Sequence, residues 1–431
     1  MLRPAAALLM SCTLSCAAAI PPAAAQDLAS AVADALAHAP ALAAAQAGAD
    51  AADARVDQAR AQGNPLLRVE GSYGAGRIDN GGYFGLSADN VTPRAAQAVA
   101  EMPLYAGGRV SAAIAQARGG AQAARHGAEA ARLDTIVRAV AAYAEVLSAR
   151  KLEARFRLLV DSLTEVERQA ALRFRAGEIA SSDLAQARAR KAQGDAVFAS
   201  AQGRRTSAEA AFARLTGKAA GDLAPLPGNA PGQTDPLLPA APATLGEAIE
   251  LARAHNPMLA QARAGTDAAR AGARAARAEG LPTIGAYAEA AHVRDQFFPG
   301  YRADSMAVGL RGRWTLFAGG RVASAARAAD AQVDQSEANE RAMAQTLEGM
   351  VIDAWSGLAT ARRMAEAAAL QSEAAAEALR GTRLEAQVGA KPVLAVLDAE
   401  RDAAQAEAAL IEAQAMRTVA AWQLAALSGA L

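Results

Sequence analysis

Four segments of the chain alternate apolar and polar residues with a period of two, which is the pattern of a β-strand with two unlike faces. Residues 306–316 show it most clearly: Arg311 and Arg313 fall on one face, and the other carries Met306, Val308, Leu310, Gly312, Trp314 and Leu316. Residues 67–73, 96–104 and 284–290 repeat the alternation. A strand of about ten residues can cross a bilayer when it is tilted. The pattern therefore predicts four membrane-spanning strands, with the face of a soluble β-sandwich as the alternative.

Two of the predicted strands end in nearly the same heptapeptide, LYAGGRV at 104–110 and LFAGGRV at 316–322. A glycine pair suits a sharp change from strand to helix, because glycine adopts backbone conformations that other residues avoid. The alanine-rich segments that follow, 110–176 and 322–388, contain no proline. A helix of that length measures about 100 Å. Such length without internal stops predicts long helices that pack as coiled coils.

The two heptapeptides belong to an internal duplication. Tyr143 matches Trp355 at an offset of 212 residues, and His38 matches His255 at an offset of 217. Each half reads helix, strand, strand, long helix, turn, helix, so the predicted fold class is an internally duplicated α+β membrane protein. The predicted divisions are a signal peptide at 1–25, a first repeat at 26–217, a proline-rich linker at 218–243 and a second repeat at 244–431. Because four strands in lipid would leave two open edges with unpaired backbone groups, the membrane interpretation requires further copies of the chain.

The N-terminal segment predicts export. Arg3, the apolar run from Ala5 and the small residues before Gln26 have the order of a secretory signal peptide, with cleavage after Ala25. Lipidation of Cys16 is the alternative. Both cysteines lie in this segment, so the mature chain is predicted to have no disulfide. Beyond residue 25, no run of about 18 apolar residues predicts a helical membrane span.

Composition favours close-packed helices over a thick globular core. Apolar residues make up 52% of the chain, but aromatic residues only 4%. The formal net charge of zero indicates no nucleic-acid partner. The four histidines have no Cys, Asp or Glu at metal-ligand spacing, and no nucleophile elbow, phosphate loop or dinucleotide fingerprint occurs. The sequence thus predicts no catalytic residue, no cofactor and no metal site, and hence no enzyme. Tyr143 and Trp355 are interpreted as packing residues. His38 and His255 are interpreted as structural residues at helix ends, where a histidine complements the helix dipole.

The duplicated heptapeptides, the Asn256-Pro257 pair and two turn motifs, taken in order, resemble the TolC family of outer-membrane channel proteins over essentially the whole mature chain. The turn motifs are RFRAGEIASSDL at 173–184 and VGAKPVLAVLDA at 388–399. The resemblance implies a homotrimer in the outer membrane. Twelve strands would form one β-barrel, and twelve helices would form a periplasmic tunnel.

The resemblance also implies a site at the periplasmic tip. The two turns would contact a periplasmic adaptor protein through Ala176, Gly177, Glu178, Val388, Gly389 and Ala390. Asp183 and Lys391 match a polar latch between neighbouring helix pairs, and Asp398 matches the inner member of an acidic ring, so these three form the implied entrance gate. Ala395 and Ala386 stand where the family carries the outer acid and a tyrosine.

Two functions follow from these patterns. The first is a passive exit duct of a tripartite efflux pump or a type I secretion system, with an adaptor (membrane fusion) protein, an inner-membrane transporter of RND or ABC type and outer-membrane lipid as partners. The second is a soluble periplasmic coiled-coil adaptor or scaffold. The strand alternation favours the duct, and the cargo could be a drug, a metal or a protein.

Overall fold

The computed structural model describes residues 26–79, 81–82, 88–226 and 242–431. The predicted signal peptide, including Cys16, and linker residues 227–241 lie outside the described residues.

The described helices follow the duplication closely. The first half has α1 (Leu28–His38), α2 (Pro40–Ala61), α3 (Arg109–Arg175) and α4 (Ser181–Thr216); the second has α5 (Leu245–His255), α6 (Pro257–Ala278), α7 (Arg321–Gln387) and α8 (Val393–Ser428). The paired helices have identical lengths of 11, 22, 67 and 36 residues. The predicted long helices are therefore confirmed, each beginning and ending one residue earlier than predicted.

The hinges between strand and helix repeat at the level of single torsion angles. Gly107 and Gly108 have φ angles of 59° and 82°, and Gly319 and Gly320 have 58° and 83°. A side chain is strained at such angles, which explains the glycine pairs. Pro40 and Pro257 begin new helices and divide the N-terminal helical segment of each half in two, because proline is tolerated in a first turn but not within a helix.

The strands form one antiparallel sheet in the order β1-β4-β5-β6 and a small separate hairpin, β2-β3. Their bounds are β1 (Leu66–Tyr73), β2 (Gly76–Ile78), β3 (Asp89–Val91), β4 (Arg94–Tyr105), β5 (Thr283–Arg294) and β6 (Arg302–Arg313). The four predicted long strands are thus present, whereas the hairpin was not predicted. The prediction for 306–316 was wrong at its end, since β6 stops at Arg313. Trp314 leaves the strand, and its indole Nε1 donates a hydrogen bond to the Gly280 carbonyl at 3.2 Å.

Helix packing relies on small side chains, as the composition indicated. At the α3–α6 contact, a Cβ added to Gly119 would lie 2.8 Å from the backbone nitrogen of Ala268, so the two helices approach as closely as their backbones allow. The largest fully buried side chains lie where the first helix of each repeat packs against the long helix and the last helix. Tyr143 and Phe212 are fully buried in one cluster, and Leu347 and Leu424 are fully buried in its counterpart.

In the part of the chain that the structure describes, no single helix is long and apolar enough to cross a membrane. Leu28–His38 and Pro40–Ala61, bent by 54° relative to each other, reach that length and composition only as a pair.

Candidate functional site

The sheet has one apolar face and one polar face across all four long strands. Residues that pair directly across antiparallel strands share a face. The register aligns Val69 with Ala98, Ala98 with Ala290, and Ala290 with Met306. Met306, Val308 and Leu310 expose 82%, 74% and 69% of their surface. We call this surface the apolar strand face; it is continuous over the sheet and uncovered within the chain.

The opposite surface, the polar strand face, carries a charged network at its centre. Arg311 lies 3.4 Å from a carboxylate oxygen of Glu101 and 3.8 Å from one of Glu289. Its guanidinium carbon also lies 4.3 Å from the centroid of the Tyr287 ring, within range of a cation–π contact. These residues come from three adjacent strands, so this face of the sheet is polar and hydrogen-bonded at the level where the other face exposes Val308 and Leu310.

The outer edges of the sheet are open. β1 and β6 are the first and last strands in the order, and neither pairs with another described strand on its outer side. Unpaired backbone groups at a sheet edge bind another strand or water, and in lipid only another strand is available.

Two tight turns join the helical hairpins, as predicted. Gly177 and Gly389 both have φ 78°. Beyond them, the Glu178 amide donates to the Arg173 carbonyl at 2.9 Å, and the Ala390 amide donates to the Glu385 carbonyl at 2.8 Å. This hydrogen-bonding pattern ends a helix with one residue in the left-handed backbone conformation. Glycine adopts that conformation without the steric penalty that other residues incur. All six predicted contact residues are exposed: Ala176, Gly177, Glu178, Val388, Gly389 and Ala390. We call these two segments the tip turns.

The predicted latch pair is not joined within one chain. Lys391 Nζ lies 2.6 Å from a carboxylate oxygen of Glu385, six residues earlier on the other side of the same tip turn. Asp183 is exposed in the first turn of α4, where its charge suits the positive end of the helix. The latch between neighbouring helix pairs therefore stays a prediction, and Glu385 competes for Lys391.

Asp398 does not present a bare carboxylate. Arg190 of α4 lies 3.0 Å from Asp398 Oδ1, and Arg401 lies 3.6 Å from the same oxygen. Arg401 is shared, since Asp402 accepts its guanidinium hydrogen bond at 2.8 Å and thereby raises the pKa of Arg401. The charge of Asp398 is thus partly compensated by Arg190, a residue that the sequence analysis did not single out.

Glu400, also missed, joins three helices beside Asp398. Its side chain is 5% exposed, accepts a hydrogen bond from Arg383 of α7 at 2.8 Å and accepts another from the Ser162 hydroxyl of α3 at 2.5 Å. A sequence signal existed. Leu397, Glu400 and Ala404 follow the i, i+3, i+7 spacing of a buried helix stripe, and all three are buried.

Further polar links join α8 to the α3–α4 hairpin towards the middle of the helices. Arg204 of α4 donates to Glu145 of α3 at 2.7 Å and to Glu412 of α8 at 2.5 Å. The hydrogen bonds that Arg204 donates to Glu145 and then to Glu412 outweigh desolvation and raise the pKa of Arg204. Arg155 of α3 pairs with Glu407 of α8. The two hairpins of one chain are therefore held together by charges along much of their length.

Comparison with known proteins identifies this arrangement. The family model described as "Outer membrane efflux protein" matches residues 31–218 and 248–430. The chain belongs to this family. The two matched ranges coincide closely with the two structural repeats, so both halves carry the family pattern.

Relatives and solved structures agree with this membership. The chain is 27% identical over 298 residues to the outer membrane efflux protein BepC of Brucella suis, a match that covers 69% of the chain and 63% of BepC. It is 34% identical over 171 residues to protein CyaE of Bordetella pertussis, which covers 39% of the chain and 34% of CyaE. The matched segments thus span less than two thirds of either relative.

Two solved structures share the fold over nearly the whole chain. A membrane protein from Pseudomonas aeruginosa has a TM-score of 0.80 and 25% identity, covering 93% of each chain. The CmeC outer membrane channel of Campylobacter jejuni has a TM-score of 0.81 and 16% identity, covering 94% of this chain and 85% of that one. The predicted fold class of this efflux-family chain is therefore confirmed, and the alternative of a soluble adaptor is wrong.

Proposed function

We propose that this chain is the outer-membrane exit duct of a tripartite efflux pump, a passive channel that also extends through the periplasm and carries out no catalytic step. The observation that carries the proposal is the apolar strand face, continuous across four strands and joined through glycine hinges to 67-residue helices. The family description favours efflux over type I secretion, the second candidate.

The proposed duct is a homotrimer. In the second repeat, α6 packs against both α3 and α7, whereas α2, its counterpart, packs against α3 and finds no comparable second neighbour among the described helices. The duplication supplies the missing partner if α7 of another copy lies beside α2. The same closure pairs the open edge of β1 with β6 of the next copy. Three copies supply twelve long strands and twelve helices of the α3, α4, α7 and α8 type.

The tip turns are the proposed docking site for a periplasmic adaptor protein, with an inner-membrane transporter of RND or ABC type behind it. Their exposed glycines let the backbone approach a partner closely. Asp183, Lys391 and Asp398 form the proposed entrance gate. Lys391 would have to leave Glu385 to reach Asp183 of a neighbouring hairpin.

Placing a lysine on each of the two strand faces and comparing how well the variants assemble tests the proposal. Leu310→Lys places a charge on the apolar strand face and should cost about 2 to 4 kcal/mol near the midplane of the membrane. Arg311→Lys keeps the charge on the polar strand face and is the matched control. We expect the control to assemble in the outer-membrane fraction with heat-modifiable migration and to conduct ions after reconstitution, whereas Leu310→Lys assembles poorly. Equal assembly of the two variants, or wild-type protein in the soluble periplasmic fraction, would refute the duct.

A further inference from the structure

Three arginines stand in one row across the sheet, at the end away from the helices. Arg94 begins β4, Arg294 ends β5 and Arg302 begins β6, and the register places Arg94 opposite Arg294 and Arg294 opposite Arg302. Tyr73, the last residue of β1, completes the row opposite Arg94. We call Arg94, Arg294 and Arg302 the arginine row.

The arginine row lies on the apolar strand face. Arg302 is an even number of residues from Met306, Val308 and Leu310 on β6, and side chains alternate between faces along a strand. The cross-strand register then assigns Arg94 and Arg294 to the same face. Charged side chains are costly against lipid tails and tolerated near the membrane surface. The row therefore marks the level at which hydrocarbon gives way to lipid headgroups.

The spacing along β6 agrees with this level. From Arg302 to Trp314 the chain extends roughly 40 Å, and a strand tilt of about 40° reduces this to about 30 Å across the membrane. Exposed aromatic and aliphatic residues mark the other boundary, where Trp314, Leu316 and Phe317 expose 61%, 79% and 88% of their surface. That boundary adjoins the helices and carries no comparable row of arginines on the apolar strand face. The arginine row thus lies at the level of one membrane leaflet only.

The charges of the row are available to a ligand. Within the described residues, no carboxylate oxygen lies within 4.0 Å of the three guanidinium groups, and Arg94 and Arg302 are exposed while Arg294 is half-buried. Arg94 lies over the Tyr73 ring, 5.5 Å from its centroid. The next row inward holds His292 and Asp304, which contact each other. Asp304, two residues from Arg302 on the same face, is therefore already held by His292.

We propose that the arginine row binds the phosphate groups of an anionic glycolipid in the outer leaflet. The inference rests on the proposed function, because only a duct with its helices in the periplasm turns this end of the sheet towards the cell surface. Arginine forms paired hydrogen bonds to phosphate oxygens, which makes a row of guanidinium groups at headgroup level a fitting site. The apolar strand face below it would contact the acyl chains of the same lipid.

Retention of lipid by the purified full-length assembly tests the site. Native mass spectrometry would compare three probes: lipid A with two phosphates, the same lipid after dephosphorylation, and inorganic phosphate. The test variant is Arg294→Gln with Arg302→Gln, and the matched control is Arg68→Gln with Arg313→Gln, two exposed arginines on the polar strand face. The single variant Arg302→Gln serves if the double variant does not assemble.

We expect the test variant to retain at least about tenfold less bis-phosphorylated lipid than wild type, and the control to retain as much as wild type. Dephosphorylated lipid should be retained weakly by all proteins, and inorganic phosphate should not displace the bis-phosphorylated lipid. Equal retention by wild type and the test variant, or by both forms of the lipid, would overturn the proposal. Displacement by inorganic phosphate would make the row a site for a free ion. Failure of the duct itself would be seen separately, as wild-type protein absent from the membrane fraction.

Discussion

At the scale of single residues, the polar contacts between helices are the part of the site that sequence patterns conceal. Asp398 was placed by a motif, but its partner Arg190 lies on another helix of the first repeat. Glu400 escaped because a glutamate beside Asp398 and Arg401 resembles an exposed charged face. Its three-helix contact depends on which side of α8 meets α3 and α7, and that follows from tertiary packing.

Glu400→Ala should destabilise the helical hairpins at the end nearest the tip turns. The change removes a buried carboxylate that accepts two hydrogen bonds, one from the half-exposed Arg383 guanidinium and one from the partly buried Ser162 hydroxyl, and this loss costs about 1 to 3 kcal/mol. Asp402→Ala removes an exposed ion pair two residues away and should cost less than about 1 kcal/mol. Thermal unfolding followed by circular dichroism measures both. Equal shifts in Tm would mean that the Glu400 contacts contribute nothing beyond a surface pair.

Tyr143 should make the free energy of unfolding fall measurably at alkaline pH. Its hydroxyl lies 3.0 Å from the Gln26 carbonyl and 2.6 Å from that of Ala224, and burial, then the charge of Asp27, raises its pKa to about 12. Because the unfolded side chain ionises near pH 10, its stabilising contribution is complete below pH 10 and is lost as the pH rises towards 12. Tyr143→Phe should cost about 1 kcal/mol at pH 8. The gap between the two proteins in urea unfolding should narrow above pH 10; a constant gap would contradict the raised pKa.

At the scale of elements, most of the architecture could be predicted because the chain states it twice. Matching the two halves located the long helices to within one residue and the tip turns at Gly177 and Gly389. Strand ends were less predictable. Trp314 continues the alternation of β6 in sequence, but its indole bonds to Gly280 and the strand has already stopped. The β2-β3 hairpin was missed because its three-residue strands are too short for alternation to be recognised.

Alanine substitutions at the first strand-to-helix hinge should separate the cost of backbone strain from the cost of a steric clash. Gly107 and Gly108 both have positive φ angles, so alanine at either position carries similar strain. A Cβ on Gly107 would also lie 2.6 Å from the Cβ of Leu281, whereas one on Gly108 would have only Ser111 Oγ at 3.9 Å. Gly107→Ala should therefore lower stability by about 1 to 3 kcal/mol more than Gly108→Ala. The yield of heat-modifiable assembly and its Tm measure the difference. Equal loss in both variants would show that the contact with Leu281 yields without cost.

At the scale of the whole molecule, ion selectivity reports whether Asp398 faces the lumen of the proposed trimer. Arg190 compensates part of its charge, so three copies of Asp398 form a weaker acidic ring than bare carboxylates would. Arg190→Gln should uncover that charge and shift the reversal potential in a KCl gradient towards cations, whereas Asp398→Asn should shift it the other way. Arg188→Gln is the matched control, because Arg188 is on the same helix but pairs with Glu167 at 3.5 Å. Reconstituted single channels give all three values. If Arg190→Gln and Asp398→Asn both match the control, Asp398 lies away from the conduction path and the entrance is lined by other residues.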